Sequence, residues 1–296
     1  MLLLYLSLVL TTLVGSILSV ILDGVERKLK ARIQSRIGPP ITQTLYDLLK
    51  LTVKESKPLH TAPFIYFSVT SVVLTMMLSL VHAHVYALNG NVLIFTLSIS
   101  LLAVSLTMFT LIPLLIPNPF AYTGGIRELL LSLVNESAYL ISLTVTVVTL
   151  SIIRSGEHSY IILLSLALSL VVLFISSYAL TGRVPFDIAE AEPELASGIL
   201  VEFSGKVLAV MLFSTLIKRY LVKFILVASL LVNTIGWGVH SLLTSILLTT
   251  LLWIIYATIS AILGRSRVDI APLTLGKLYI VLLGLSITGL LVDLYV

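Results

Sequence analysis

Gly205-Lys-Val-Leu-Ala-Val-Met-Leu-Phe-Ser-Thr-Leu-Ile-Lys218-Arg219-Tyr-Leu-Val-Lys223-Phe-Ile-Leu-Val-Ala-Ser-Leu-Leu-Val-Asn-Thr-Ile-Gly236 places three cations in an otherwise apolar run. Hydropathy alone would cut the run at 218–223 and add a membrane span. Charge placement argues for one long tilted helix over 205–236 and another over 240–263. The loop 23–62 holds eight of the 18 Lys and Arg, so it should face the cytoplasm. With 205–236 uncut, Arg127, Arg183, Lys206, Arg265 and Arg267 fall on that same side, and Arg154 lies opposite. A cut would carry Arg265 and Arg267 outside. The expectation is eight spans with both termini outside. It puts Lys218, Arg219 and Lys223 at membrane depth, where charge belongs in a bundle interior or a watery cavity.

Outward from that stretch the other spans read as 2–22, 64–87, 92–116, 128–153, 160–180 and about 273–295. The first, without a basic leader or a small-residue cleavage site, reads as a retained helix rather than a signal peptide. Asn89-Gly90 makes a tight turn, and Pro117 and Pro119 with Gly124-Gly125 break the chain before the fourth span. In the first loop Leu45, Leu48, Leu49 and Leu51 alternate with Asp47, Lys50 and Lys54, the pattern of a short amphipathic surface helix. The fold class is an all-α polytopic membrane helical bundle. It forms one integral membrane domain over 1–296, with cytoplasmic loops at about 23–63 and 181–204.

Composition agrees. The chain is 58% hydrophobic and 11% charged, against about 45–50% and about 25% in soluble domains. It has no cysteine, which excludes disulfides and thiolate ligation of zinc, iron–sulfur or nickel–iron centres by this chain. His60, His82, His84, His158 and His240 show no spacing suited to a haem pair. The chain itself is therefore expected to bind no cofactor or metal. Nothing in it points to nucleic acid, and its natural solvent is the lipid bilayer.

Three stretches carry chemistry. Arg183-Val-Pro-Phe-Asp187-Ile-Ala-Glu190-Ala-Glu192-Pro-Glu194, followed by Glu202-Phe-Ser-Gly205, crowds five carboxylates beside a helix start. Crowded, partly buried carboxylates raise one another's pKa and titrate together, as a proton relay requires. An acidic run is by default a solvated loop, but Arg183-Val-Pro-Phe and Ser204-Gly205 are not solvating composition. Glu136 lies two turns inside the fourth span, deeper than Arg127 and Glu128, which sit at the interface. Lys218, Arg219 and Lys223 are placed to neutralise carboxylates such as Glu136 or Glu202 across the bundle. The third stretch runs from Glu26 through Arg27, Arg32, Gln34, Arg36 and Gly38-Pro39-Pro40 to Gln43, Asp47 and Lys50. Its ordered acids, amides and prolines exceed what a headgroup anchor needs and suit a docking surface.

These residues resemble one membrane subunit of NADH:quinone oxidoreductase, respiratory complex I, the one called subunit 1 in mitochondria. They also resemble the equivalent subunit of formate hydrogenlyase and of energy-converting membrane-bound nickel–iron hydrogenases. Arg183, Pro185, Phe186, Asp187, Glu190, Glu192, Glu194, Gly198, Glu202, Ser204 and Gly205 match in register. So do Glu26-Arg27-Lys28, Arg32, Gln34, Arg36, Gly38-Pro39, Gln43, Asp47, Lys50-Leu51, Lys54-Glu55, Gly124-Gly125, Arg127 and Glu136. The short Gly38-Pro39-Pro40 loop looks like the hydrogenase branch. Thr44 stands where the family usually has proline, and Phe203 where it has tyrosine.

The resemblance implies a membrane anchor and proton-coupling subunit of a redox-driven ion pump in the plasma membrane. Its partners would be soluble iron–sulfur and hydrogenase-like large and small subunits at the cytoplasmic face, with antiporter-like and small membrane subunits beside it. Iron–sulfur clusters and a nickel–iron centre would sit in those partners. In the quinone-reducing branch the same chain forms a quinone chamber. Asp187, Glu190, Glu192 and Glu194 would sense the redox site, Glu202 and Glu136 would carry the relay inward, and Lys218, Arg219 and Lys223 would extend it. Glu26, Arg27, Arg32, Gln34, Arg36, Gln43, Asp47, Lys50 and Arg183 would form the docking and redox-chamber loop. Two rivals are a secondary transporter, which would show an inverted repeat absent here, and a purely structural anchor.

Overall fold

The computed structural model describes residues 2–56, 62–156, 159–189, 198–200 and 202–295; at the ends of some helices it describes the backbone alone. Glu190, Glu192 and Glu194 lie outside the described residues. The elements are α1 (Leu2–Ile33), α2 (Gln43–Val53), α3 (Ala62–Asn89), α4 (Val92–Leu111), a 3-10 turn (Ile112–Leu115), α5 (Pro119–Ser155), α6 (Tyr160–Leu180), a second 3-10 turn (Gly198–Leu200), α7 (Gly205–Thr234), α8 (Val239–Ile262) and α9 (Ile270–Tyr295).

The protein is an all-α polytopic membrane bundle. Among the described residues six helices, α3, α4, α5, α6, α8 and α9, are long and apolar enough to cross a membrane. α1 and α7 are as long, at 32 and 30 residues. The run 205–236 is one helix, uncut at its cations, and α7 forms the hub of the bundle. Most of its side chains from Val207 to Val232 are buried on all sides, the mark of a helix with no lipid or solvent face. It packs against α1, α2, α3, α5 and α8.

Local chemistry sets the breaks. Asn89-Gly90 ends α3, and Asn91 caps α4 by accepting the Leu93 N–H at 2.9 Å. Pro113 removes a donor and tightens the end of α4 into the 3-10 turn. α5 then begins at Pro119, capped by Asn118. It runs straight through Gly124-Gly125, so these glycines lie inside the helix rather than in the expected break. α1 likewise continues past the apolar stretch to Ile33, making about the first quarter of the expected loop helical. The amphipathic helix is α2, with Leu45, Leu49 and Val53 outward and Thr44 buried. Gly24 is needed where α1 meets the chain before α2: a Cβ there would lie 1.9 Å from the Ile41 carbonyl oxygen.

In lipid the hydrophobic effect does not drive helix association, and packing with interhelical hydrogen bonds takes over. Ser165 donates to the Ser286 carbonyl at 2.6 Å, and Ser177 and Tyr256 bond at 2.6 Å. Thr146 reaches Ser169 at 3.0 Å. Each such bond is worth about 0.6 kcal/mol on average.

Candidate functional site

The C-terminal extension of α1 carries Asp23, Glu26, Arg27 and Lys30 about one turn apart, so several of them face the bundle together. Glu26 is 3% exposed. Its carboxylate accepts from Arg183 Nε at 2.9 Å, from a second Arg183 N–H, and from Trp253 Nε1 at 2.8 Å. Lys30 Nζ lies 2.8 Å away. Arg183, itself buried, comes from the turn after α6 and stacks over the Trp253 ring at 4.9 Å. Lys223 Nζ sits 3.7 Å from the centre of that same ring. A buried carboxylate survives only when its lone pairs are met this fully.

A second knot forms on Asp23. Thr44 donates to it at 2.9 Å, Arg27 Nε at 3.0 Å, and Arg219 lies at 3.5 Å. Arg219 also donates to the Thr181 carbonyl at 3.0 Å. Arg27 reaches on to Asp47, which Gln43 holds at 2.8 Å. Thr44 thus supplies a hydroxyl that joins α2 to α1. At the start of α7, Gly205 has φ +52° and lies against the Lys54 and Glu55 carbonyls, where a Cβ would come within 2.8 Å. The Ser204-Gly205 pair of the motif is therefore a junction with α2.

Beside these knots lies a small polar cavity of about 30 Å³, lined by Asp187, Glu128, Lys218, Arg219, Thr181 and apolar neighbours. It has room for roughly two waters, at about 10–15 Å³ each. Lys218 pairs with Glu128 at 3.2 Å and lies 5.0 Å over Phe109. Glu136 sits two turns deeper on α5, buried, with Lys218 and Glu128 as its charged neighbours. Its Oε1 has no hydrogen-bond partner among the described residues. On the outer edge, burial pushes the Asp187 carboxyl above its ordinary range, against the opposing pull of the Arg265 hydrogen bond at 2.8 Å. Ser266 bonds the Pro185 carbonyl and closes the α8–α9 loop onto this segment.

The expected residues thus separate. Asp187, Lys218 and Arg219 converge on the cavity, with Glu136 behind Lys218. Lys223, Glu26 and Arg183 meet at Trp253. Glu202 stands apart, bonded to Asn118 before α5. Arg32, Gln34, Arg36 and Lys50 lie on the exposed rim. Two of the three cations of α7 meet carboxylates across the bundle, with Glu128 and Asp23 as their direct partners and Glu136 only as a neighbour of Lys218. Lys218 pairs with Glu128 and Arg219 with Asp23, while Lys223 meets an aromatic face, because successive positions on α7 point to different neighbours. Glu128 is largely enclosed by the bundle; its side chain is 12% exposed. The sequence reading passed over Asp23, Thr181 and Trp253. Asp23 was findable from its i,i+4 spacing to Arg27. No sequence signal marks Trp253, an aromatic among aliphatics.

The family profile described as "NADHdh: NADH dehydrogenase" matches residues 5–292. Hydrogenase-4 component C of Escherichia coli (strain K12) is 31% identical over 226 residues, 71% of this chain and 70% of that protein. Formate hydrogenlyase subunit 4 of the same organism is 28% identical over 214 residues, 68% and 69% of the two chains. NADH-ubiquinone oxidoreductase chain 1 of Paracentrotus lividus is 33% identical over 199 residues, 61% and 60%. A chain in the structure of the membrane-bound sulfane sulfur reductase, an archaeal respiratory membrane complex, superposes with a TM-score of 0.76. It is 23% identical, over 98% of this chain and 99% of that one, which shows the shared fold. This chain therefore belongs to the NADH dehydrogenase family of membrane subunits, that of complex I subunit 1, and is a complex I-like membrane subunit.

Proposed function

We propose that this chain is the membrane anchor and proton-coupling subunit of a membrane-bound nickel–iron hydrogenase-type pump in the plasma membrane. The reading rests on one observation above all. Asp187, Glu128 and Lys218 line one water-sized cavity, and buried Glu136 lies two turns further along α5 with Lys218 and Glu128 as its charged neighbours. A change of charge in a docked redox subunit alters the proton affinity of Asp187. Cavity water passes the proton difference to Glu128 and Lys218, and these shift the field on Glu136. The redox centres belong to soluble iron–sulfur and hydrogenase-like partners seated on the rim of Arg32, Gln34, Arg36 and Lys50. Antiporter-like and small membrane subunits sit alongside. Both termini face outward, with the basic first loop in the cytoplasm. The short Gly38-Pro39-Pro40 loop supports this branch.

A second reading has its own support. An apolar cavity of about 400 Å³ lies between α1, α2 and Phe213 of α7, lined by Ile17, Val20, Ile21, Leu45 and Leu48. Its size and lining suit the isoprenoid tail of a quinone.

The deciding experiment is purification of the native complex in mild detergent, assayed for hydrogen evolution and for quinone reduction. Hydrogen evolution is expected; quinone reduction in its place would establish the second reading. In proteoliposomes, the complex carrying Glu136→Gln should keep electron transfer and lose ion pumping. Undiminished pumping per turnover in that variant would remove Glu136 from the relay.

A further inference from the structure

Seven buried side-chain polar atoms have no hydrogen-bond partner among the described residues. Glu136 Oε1 and Arg183 Nη1 belong to the sets above. The other five are His84 Nε2, Tyr220 OH, Lys223 Nζ, Ser241 Oγ and Ser245 Oγ. All five lie on three mutually packed helices: α3, α7 and α8. Each of these residues is essentially inaccessible, Lys223, His84, Tyr220, Ser241 and Ser245 all at 0%.

α8 orders them. Ser241, Ser245, Thr249, Trp253, Tyr256 and Ser260 recur at spacings of three and four, so they form one stripe along a single face, and every one is buried. The stripe is roughly 28 Å long at about 1.5 Å per residue, close to the about 30 Å of a bilayer core. It faces α7, α1 and α3. The Gly238 N–H donates to the Ala87 carbonyl at 3.1 Å, so the outer end of α8 is pinned one turn from His84. At the cytoplasmic half the stripe reaches Trp253, which holds Glu26 and lies under Lys223.

Hydroxyls in membrane helices normally bond back to their own helix. Thr249 does so at 2.7 Å and Ser260 at 2.9 Å. Ser241 and Ser245 do not. Buried polar groups in native proteins find a partner, and where protein offers none that partner is water. We infer that the polar stripe of α8, with Lys223 at its centre, is a hydrated proton path through this subunit, separate from the Asp187–Glu128–Glu136 set.

The chemistry selects protons over metal cations. Among the described residues the stripe holds no carboxylate to balance a sodium ion, and the Lys223 ammonium repels one. A lysine can pass a proton. An N–H bond of the ammonium breaks as an O–H bond forms on water at the Ser245 side. The neutral amine then takes a proton from water at the Arg183–Glu26 side, and nothing is consumed. The titratable groups facing Lys223 are Tyr256, Arg183 and Glu26, with Arg219 beyond. The direction of traffic rests on the coupling role proposed above; the hydration of the path does not.

Because the chain lacks cysteine, a single cysteine in it, labelled within the whole complex in native membranes and read on this chain after separation from its partners, reports on water at its own position. Ser245→Cys and Thr249→Cys are near-isosteric and should react with a small cationic thiol reagent. Leu247→Cys, on the lipid-facing side of α8 at 58% exposure, is the dry control. The stripe positions are expected to label roughly tenfold or more faster, since only a hydrated thiol ionises to the reactive thiolate. Labelling no faster than at Leu247 would overturn the path. Proton flux in proteoliposomes then tests Lys223. Lys223→Met and Lys223→Arg should both abolish the flux, because arginine keeps the charge and holds its proton. Full flux with arginine would reduce Lys223 to charge balance. Since labelling needs no electron transfer, a dry stripe would leave the coupling by Glu136 standing, and a pumping Glu136→Gln complex would leave the labelling unchanged.

Discussion

The Glu26–Arg183–Trp253 knot and the Glu128–Lys218–Glu136 set lie against the middle of α7, within two turns of each other, yet they differ in saturation. Glu26 accepts from Arg183 twice and from Trp253, with Lys30 alongside, and only one Arg183 nitrogen is left over among the described residues. Glu128 has Lys218, and one oxygen of Glu136 has no donor among the described residues. A saturated buried pair resists any change of protonation, because losing either charge strands the other. An undersaturated set beside a water-sized cavity changes protonation with little rearrangement. The first clamps α1, the α6 turn and α8 together, and the second is free to respond.

Breaking the clamp should give the largest effect. Glu26→Gln leaves Arg183 buried without its counter-charge, at a loss of about 3–5 kcal/mol. The expected outcome is a chain that fails to accumulate in the membrane or melts far below the wild type after solubilisation. A melting temperature near the wild-type value would mean that the knot is not structural. The responsive set should yield less. A double-mutant cycle of Lys218→Met and Glu128→Gln should return a coupling of about 0.5–3 kcal/mol, and each single variant should disturb pumping more than stability. Equal losses in both would erase the distinction between the two regions.

The smallest effect belongs to the rim, where Asp187 and Arg265 meet partly in solvent. Asp187→Asn should shift stability by no more than about 1 kcal/mol. Its signature is the pH slope. The folded-state pKa is raised above the unfolded value by burial, so between the two values the folded state holds more protons. Stability from this group therefore rises as pH falls through the folded pKa and is lost as pH rises through it. Denaturant titrations across the acid range should show that slope in the wild type and its loss in the asparagine variant.

Much of this was legible in the residues themselves. The fold class follows from apolar length, and the uncut α7 follows from counting Lys and Arg on either side of the membrane. The motif between Arg183 and Gly205, with Glu136, marks the family, and Glu190, Glu192 and Glu194 within it lie outside the described residues. The breaks were read less well: Gly124-Gly125 is a signal for a turn in isolation, but inside a packed bundle α5 runs through it.

What the sequence determined by itself is periodicity and charge inventory, because lipid solvates neither bare backbone nor loose charge and so forces long helices with their ions inside. What only the tertiary structure decided is who meets whom. Lys218, Arg219 and Lys223 lie within two turns of one helix, so rotation about its axis sends them to Glu128, to Asp23 and to the face of Trp253. Those partners come from three different helices far apart along the chain, and no local pattern records which helix will stand opposite.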